Sequence, residues 1–122
     1  MPENLLDPKA LETFRDLQGP DDPHFVRNFL TTVLAEIPPR LAAISQAIDQ
    51  AKPITLASEA HALKSTCANT EIPLMTHLCA ELEALAKAGK VDGALNLYHQ
   101  LVELNNRLRI EIFALPEFQG QI

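Results

Sequence analysis

The 122-residue chain is predicted to fold as an all-α protein, an up-down antiparallel four-helix bundle with a short extra N-terminal helix. Apolar residues recur at every third or fourth position along most of the chain, which is typical of amphipathic helices. Proline and glycine interrupt this pattern at short intervals, and short connections between helices favour antiparallel neighbours. No segment shows the strict alternation of a half-buried strand.

Two Asp-Pro pairs mark the first two helix starts. In Asp7-Pro8 and Asp22-Pro23, a capping carboxylate precedes a proline at the first helical position, where its missing N–H is not needed. The first pair predicts a short helix over residues 8–17, and the second predicts a long helix from residue 23. Pro38-Pro39 lie inside the long helix and are expected to kink it or divide it in two, because each ring removes a backbone donor.

Three further helices are predicted, over residues 54–69, 73–89 and 91–114. The tail from Pro116 onward is expected to lie outside the core. The chain is therefore expected to form one domain over residues 1–122, with its core at about 8–114. The inward positions of the third and fourth helices are predicted to be Leu56, Ala60, Leu63 and Cys67, and Leu74, Leu78, Leu82 and Leu85.

Composition excludes several classes of protein. The net charge of −6, with no basic patch, argues against nucleic acid as a partner. Charges and prolines break every apolar stretch, so no membrane span is expected, and the first residues do not resemble a secretory signal. Two cysteines are too few for a disulfide framework and fit a reducing compartment. We therefore expect a cytoplasmic protein.

His61 is predicted to lie on the solvent side of the third helix. At about 100° per residue, it falls roughly 130° from the centre of the apolar stripe. The residues that share its face are small, apart from Lys64 one turn later, so another protein can approach the imidazole closely. These small residues are Ala57, Ser58, Ser65 and Ala68.

This arrangement meets the requirements of phosphoryl transfer through histidine. An exposed imidazole supplies a neutral nucleophile at physiological pH. A lysine beside it can give the anionic phosphorylated ring a charge-assisted hydrogen bond of roughly 1.5–3 kcal/mol. No glycine-rich phosphate loop or Walker-type lysine is present, so the phosphoryl group must arrive from another protein. The sequence therefore predicts a phosphocarrier without kinase apparatus, rather than an enzyme.

Several segments resemble the histidine-containing phosphotransfer (HPt) domains of bacterial two-component phosphorelays. His61-Ala62-Leu63-Lys64 is followed at the family's distance by Leu78-Cys79-Ala80-Glu81-Leu82-Glu83. The resemblance covers nearly the whole chain and implies a four-helix core with the histidine on its second long helix. The other matching segments are Leu6-Asp7-Pro8, residues 20–25, residues 29–38 and Ala86-Lys87-Ala88-Gly89.

The resemblance implies a phosphorelay intermediate. His61 would accept a phosphoryl group from a receiver-domain aspartate and pass it to another receiver, with Lys64 stabilising the phosphate. Docking of receiver domains of response regulators or hybrid kinases is expected at the small residues around His61. The chain itself is expected to need no cofactor, because Mg²⁺ would be held by the receiver, and to be a monomer.

The role of Glu83 has two possible interpretations. In some members of the family, the residue at the matching position hydrogen-bonds the imidazole, and a carboxylate there would orient the ring. The other reading is an ordinary exposed glutamate paired with Lys87 at i+4. The sequence leaves both open.

The chain departs from the family at two positions that usually carry glycine, Ser65 and a position near Glu71. Ser65 leaves less clearance for a receiver beside His61, whereas Glu71 is expected to change the turn into the fourth helix. These departures support an alternative function, a non-transferring module that sequesters a kinase or receiver.

Two pairs of possible ligands are expected to be structural. Cys67 and Cys79 are expected to be buried thiols that face each other across the third and fourth helices. His77 and Glu81 have a spacing that can hold a metal ion, but a solvated helix face is the better interpretation, and no metal is expected.

Overall fold

The computed structural model describes residues 4–119, and within this range it contains helices and no strand. The predicted all-α class is confirmed, including the short extra N-terminal helix. The elements are α1 (Pro8–Leu17), α2 (Phe25–Asp49), α3 (Pro53–Thr70), α4 (Pro73–Lys87), α5 (Ala94–Phe113) and a 3₁₀ turn (Pro116–Phe118).

The four longer helices form the bundle. α3 packs against α2 and α4, and α5 closes the bundle by packing against the same two helices, while α1 lies on α2. The last three helices begin and end within three residues of their predicted limits. No helix in residues 4–119 is long and apolar enough to cross a membrane.

The start of α1 is confirmed, but the start predicted for α2 is wrong. Asp7 Oδ1 accepts a hydrogen bond from the Lys9 N–H at 2.9 Å, as a capping carboxylate should. Asp22 makes no such cap, because its backbone is used in a turn with Gly19, and its carbonyl accepts from the N–H of Phe25. α2 therefore begins two residues later than predicted.

A side chain from outside α2 replaces the missing cap. The N–H of Val26, in the first turn of α2, donates to Gln18 Oε1 at 3.0 Å. Gln18 follows the end of α1, so this bond ties the two helices together at their junction. A cap from the preceding connection satisfies one of the free donors at a helix start.

Pro38-Pro39 do not divide α2, which runs unbroken from Phe25 to Asp49. The predicted division is wrong because apolar residues on both sides of the prolines, among them Ile37 and Leu41, are buried in the same core. A proline inside a helix costs about 3 kcal/mol or more. Burial of both halves of α2 outweighs this cost.

Three helices end in the same left-handed turn. In each case the backbone has a positive φ, at Ala51 after α2, at Glu71 after α3 and at Gly89 after α4. At the end of α3, the N–H of Ile72 donates to the carbonyl of Cys67 at 2.9 Å, and the N–H of Glu71 donates to that of Ala68. This is the Schellman pattern, in which glycine is usual. Of the three positions, only Gly89 carries glycine.

The apolar side of α4 differs from its prediction at one residue. Leu74 was expected to point inward, but 49% of its surface is exposed, and its neighbour Met75 is buried instead. Leu78 and Leu82 are buried as predicted, and Leu85 packs partly against the core. In the first turn of α4, Met75 therefore faces the core in place of Leu74.

The expectation that the tail from Pro116 lies outside the core is wrong. Phe118 is only 9% exposed and belongs to the core cluster. Arg15 on α1 forms a bidentate salt bridge with Glu117, in which the Nε–Oε2 distance is 2.6 Å and the Nη2–Oε1 distance is 2.9 Å. The 3₁₀ turn thus folds back onto the bundle and is tied to α1.

The N-terminal approach to α1 also belongs to the core, so the core extends beyond residues 8–114 at both ends. Leu5 and Leu6 are buried. Their backbone N–H groups donate to the two carboxylate oxygens of Glu111 on α5, at 2.7 and 2.9 Å. A single α5 side chain therefore fixes the segment that leads into α1.

Candidate functional site

His61 lies on the exposed side of α3, with 61% of its side chain accessible. The four residues predicted to point inward from this helix are all fully buried. The outward orientation of the imidazole, which was predicted from helical spacing, is therefore confirmed. Its environment is set by α4, the helix that packs most extensively against α3.

Glu83 of α4 is the residue that meets the imidazole. Its Oε2 lies 3.1 Å from Nδ1 of His61. The same carboxylate is paired with Lys64 through Oε1 at 2.5 Å and with Lys87 through Oε2 at 3.0 Å. Only 7% of the Glu83 side chain is exposed. One buried carboxylate therefore contacts three basic side chains, which come from two helices.

The two lysines keep Glu83 ionised. Hydrogen bonds from Lys64 and then Lys87 lower the pKa of Glu83 from its ordinary 4.5 to about 2, against the opposing effect of burial. Glu83 is therefore a carboxylate throughout the physiological range, and toward the imidazole it can act only as a hydrogen-bond acceptor.

An acceptor at Nδ1 fixes the tautomer of the neutral ring. The proton of a neutral imidazole then lies on Nδ1, where it donates to Glu83, and Nε2 keeps its lone pair. Because the His61 side chain is mostly exposed, this lone pair is open to an approaching molecule. A histidine placed in this way can act as a nucleophile, with the carboxylate orienting its ring.

The two readings of Glu83 are not mutually exclusive. The i+4 pair with Lys87 is present, and so is the contact with the imidazole. The expectation of an exposed glutamate is wrong, because Glu83 is 5% exposed. Its orienting role stays a prediction, now with a contact that supports it.

The small residues around His61 lie on or beside the open face of α3. Ser58, Ser65 and Ala68 are exposed, whereas Ala57 is half-buried and packs partly against the core. The Ser65 hydroxyl donates to the carbonyl of His61 at 3.1 Å. The hydroxyl is therefore turned back along the helix.

Ile54 is a residue of this face that was missed in the sequence. It is 87% exposed, a high value for a large apolar side chain. It precedes His61 by seven residues, and two helical turns place both residues on the same side of α3. This seven-residue spacing was the available signal, but from the sequence Ile54 is expected only at the start of the third helix.

The other two pairs of possible ligands differ in burial. Cys67 and Cys79 are buried free thiols, as predicted, and a hydrogen bond with Cys67, together with burial, raises the pKa of Cys79. His77 lies 3.5 Å from Glu81, and both side chains are well exposed. Across residues 4–119 there is no group of three or more His, Cys, Asp or Glu side chains placed to hold a metal ion.

Comparison with protein-family models matches residues 28–111, more than half of the chain, to the Hpt domain. The chain belongs to this family, as its resemblance to HPt domains predicts. Hpt domains are phosphocarrier modules of two-component phosphorelays that interact with receiver domains, and they are not enzymes. Comparisons with curated proteins and with solved structures find no match.

Proposed function

We propose that this protein is a phosphorelay intermediate that accepts a phosphoryl group on His61 from a receiver-domain aspartate and passes it to another receiver. The observation that carries this proposal is the ionised, buried Glu83 against Nδ1 of an exposed imidazole. That contact supports Nε2 as the atom that is phosphorylated. We also expect the relay to operate in the cytoplasm, with this protein as a monomer.

The transfer step follows from this tautomer. The Nε2 lone pair attacks phosphorus in line with the aspartate oxygen, the N–P bond forms as the P–O bond breaks, and the aspartate leaves as a carboxylate. The ring becomes cationic while Nδ1 keeps its proton. Glu83, hydrogen-bonded to that proton, stabilises the positive charge and holds the ring in place. Reversal of the same step passes the group to the next receiver.

Lys64 stabilises the phosphoryl group in this proposal. Its side chain is partly exposed and lies one turn after His61, close enough to reach both the carboxylate of Glu83 and a group on the ring. Mg²⁺ would be held by the acidic pocket of the receiver, and the chain itself would need no cofactor. The receiver would dock over Ser58, Ser65 and Ala68, with Ala57 beneath them.

Transfer of label tests the proposal. Receiver domains from the same genome, phosphorylated with radioactive acetyl phosphate, should label the wild-type protein with an acid-labile phosphate, whereas the His61→Gln variant should stay unlabelled. His77→Gln is a matched control, because His77 is also exposed and lies beside a glutamate. Equal labelling of the wild type and His61→Gln would contradict the proposal, as would a wild type that no receiver labels.

The sequestering module remains the alternative, and Ser65 is the feature that favours it. Lys64→Ala separates the two functions, because a relay should lose transfer rate or phosphohistidine lifetime, by about tenfold for the loss of one charge-assisted hydrogen bond. A sequestering module should bind its partner with unchanged affinity. Affinity for the unphosphorylated receiver, measured alongside the transfer rate, distinguishes these results.

A further inference from the structure

Lys64 and Lys87 reach the same buried carboxylate from two helices. Lys64 follows His61 by one turn on α3, and Lys87 follows Glu83 by one turn on α4. Lys87 Nζ lies 3.0 Å from Glu83 Oε2, the oxygen that also lies 3.1 Å from His61 Nδ1. Lys87 and the imidazole therefore share one oxygen atom.

The charges at this cluster do not balance without a further anion. Lys64 offsets the charge of Glu83, and after transfer the cationic ring offsets only part of a phosphoryl charge of about −1.5 to −2. Lys87 supplies the excess positive charge. The excess is local, since the chain as a whole carries −6.

The exposures of the three side chains show which of them can move. The carboxylate of Glu83 is 7% exposed and is fixed in the helix packing, whereas Lys64 and Lys87 are 31% and 68% exposed. A lysine carries its charge on a flexible four-carbon stem. The Lys87 ammonium can therefore leave Oε2 for a nearby anion while Glu83 stays against the imidazole.

We propose that Lys87 is a second phosphate-binding residue, which moves from Glu83 to the phosphoryl group when His61 is phosphorylated. This rests on the proposed function, because it needs a phosphoryl group on His61. Lys87 contributes charge only: the N–P bond forms as the bond to the donor breaks, and no proton passes to or from the ammonium. Release of Lys87 leaves Oε2 to the Nδ1 proton of the cationic ring.

Labelling by a small donor tests Lys87 apart from docking. With phosphoramidate as the donor, Lys87→Gln should be labelled about three- to tenfold more slowly than the wild type, as expected for one partly exposed charge contact. Lys87→Arg should keep most of the rate. Lys9→Gln is the control, because it removes the same charge from an exposed position on α1.

The pKa of the phosphoryl group on His61 provides a second test. This pKa should not change if Lys87 has only a structural role. Followed by ³¹P NMR, the apparent pKa of the phosphoryl group should be higher in Lys87→Gln than in the wild type, because a cation beside the dianion is lost. The Lys9→Gln control should titrate as the wild type does.

The failures of the two proposals are distinguishable. A wild type labelled on His61, with Lys87→Gln identical to it in rate and in ³¹P titration, would overturn the role of Lys87 and leave the phosphocarrier standing. If Lys87→Gln slowed transfer from a phosphorylated receiver but not labelling by phosphoramidate, Lys87 would act in binding the receiver. This result would also overturn its proposed role in binding phosphate. A wild type that accepts no phosphoryl group from either donor would end both proposals.

Discussion

At the scale of single residues, Glu83 sets the charge and the hydrogen bonding beside His61. The outward position of His61 and the place of Lys64 one turn later follow from helical spacing, and both could be predicted from the sequence. The burial of Glu83 could not, because it depends on how α4 packs on α3, and sequence spacing within one helix carries no information on that contact. Lys87, by contrast, reaches the oxygen that faces the imidazole through its i,i+4 spacing from Glu83 on α4, and this pair could be predicted.

The acid dependence of stability should report the cluster around Glu83. Because the folded-state pKa of Glu83 is about 2, below the ordinary 4.5, its contribution to stability is present above 4.5 and is lost as the pH falls toward 2. Glu83→Gln should therefore lower the free energy of unfolding at pH 7 and make the decline between pH 4.5 and 2 shallower. Urea unfolding across this range measures both effects. An equally steep decline in the two proteins would contradict the lowered pKa.

The clearance beside His61 should depend on the side chain at position 65. Ser65→Gln places a longer side chain on the proposed docking face and should slow transfer from a phosphorylated receiver by about tenfold or more, because in-line geometry is lost. Labelling by phosphoramidate should change little, since this donor is small. Ala42→Gln, at an exposed position of α2, is the control. Unchanged transfer in Ser65→Gln would place the docking surface elsewhere.

At the scale of the helices, the elements could be predicted well and their ends less well. Proline and glycine residues indicated where the connections between helices lie. The bounds of α3 to α5 are within three residues of the prediction. The start of α2 and its continuity through Pro38-Pro39 could not be predicted, because a Gln18 side chain and the burial of both halves decide them. These are tertiary contacts that override local preference.

The left-handed turn after α3 predicts a stabilising substitution. Glu71 has φ +62°, a conformation that costs an L-residue about 1–2 kcal/mol. Allowing for the flexibility that glycine gives the unfolded chain, Glu71→Gly should raise the free energy of unfolding by about 0.5–1 kcal/mol. Thermal or urea unfolding measures this change.

The turn after α4 provides the reverse experiment. Gly89 has φ +77°, and a Cβ there would meet no atom within 4 Å, so its conformation alone sets the cost. Gly89→Ala should lower stability by about 1 kcal/mol. If Glu71→Gly destabilised the protein as well, strain at the turns would not be the explanation.

At the scale of the whole molecule, contacts between distant parts of the chain extend the core beyond its predicted limits. The fold class could be predicted because helical periodicity is a local property. The attachment of the two ends could not, because it depends on Glu111 accepting from residues 5 and 6 and on the pair between Arg15 and Glu117, each more than a hundred positions apart in sequence.

Removal of the Phe118 ring tests this attachment. Phe118→Ala should lower the free energy of unfolding by about 3 kcal/mol, the lower end for loss of a buried phenylalanine, because the ring lies at the edge of the core. Ile110→Ala, at a position that is 73% exposed, should change stability by no more than about 0.5 kcal/mol. A Phe118→Ala variant as stable as the wild type would mean that the 3₁₀ turn does not hold the bundle.

The proposed function depends most directly on phosphorylation of His61 at Nε2. ¹⁵N and ³¹P NMR of the labelled protein, after exposure to a phosphorylated receiver, identifies both the residue and the ring nitrogen. We predict a single phosphohistidine at His61, with phosphorus on Nε2 and the proton retained on Nδ1 beside Glu83. Phosphorus on Nδ1 or on another residue would contradict it, as would a receiver that binds the protein but transfers nothing.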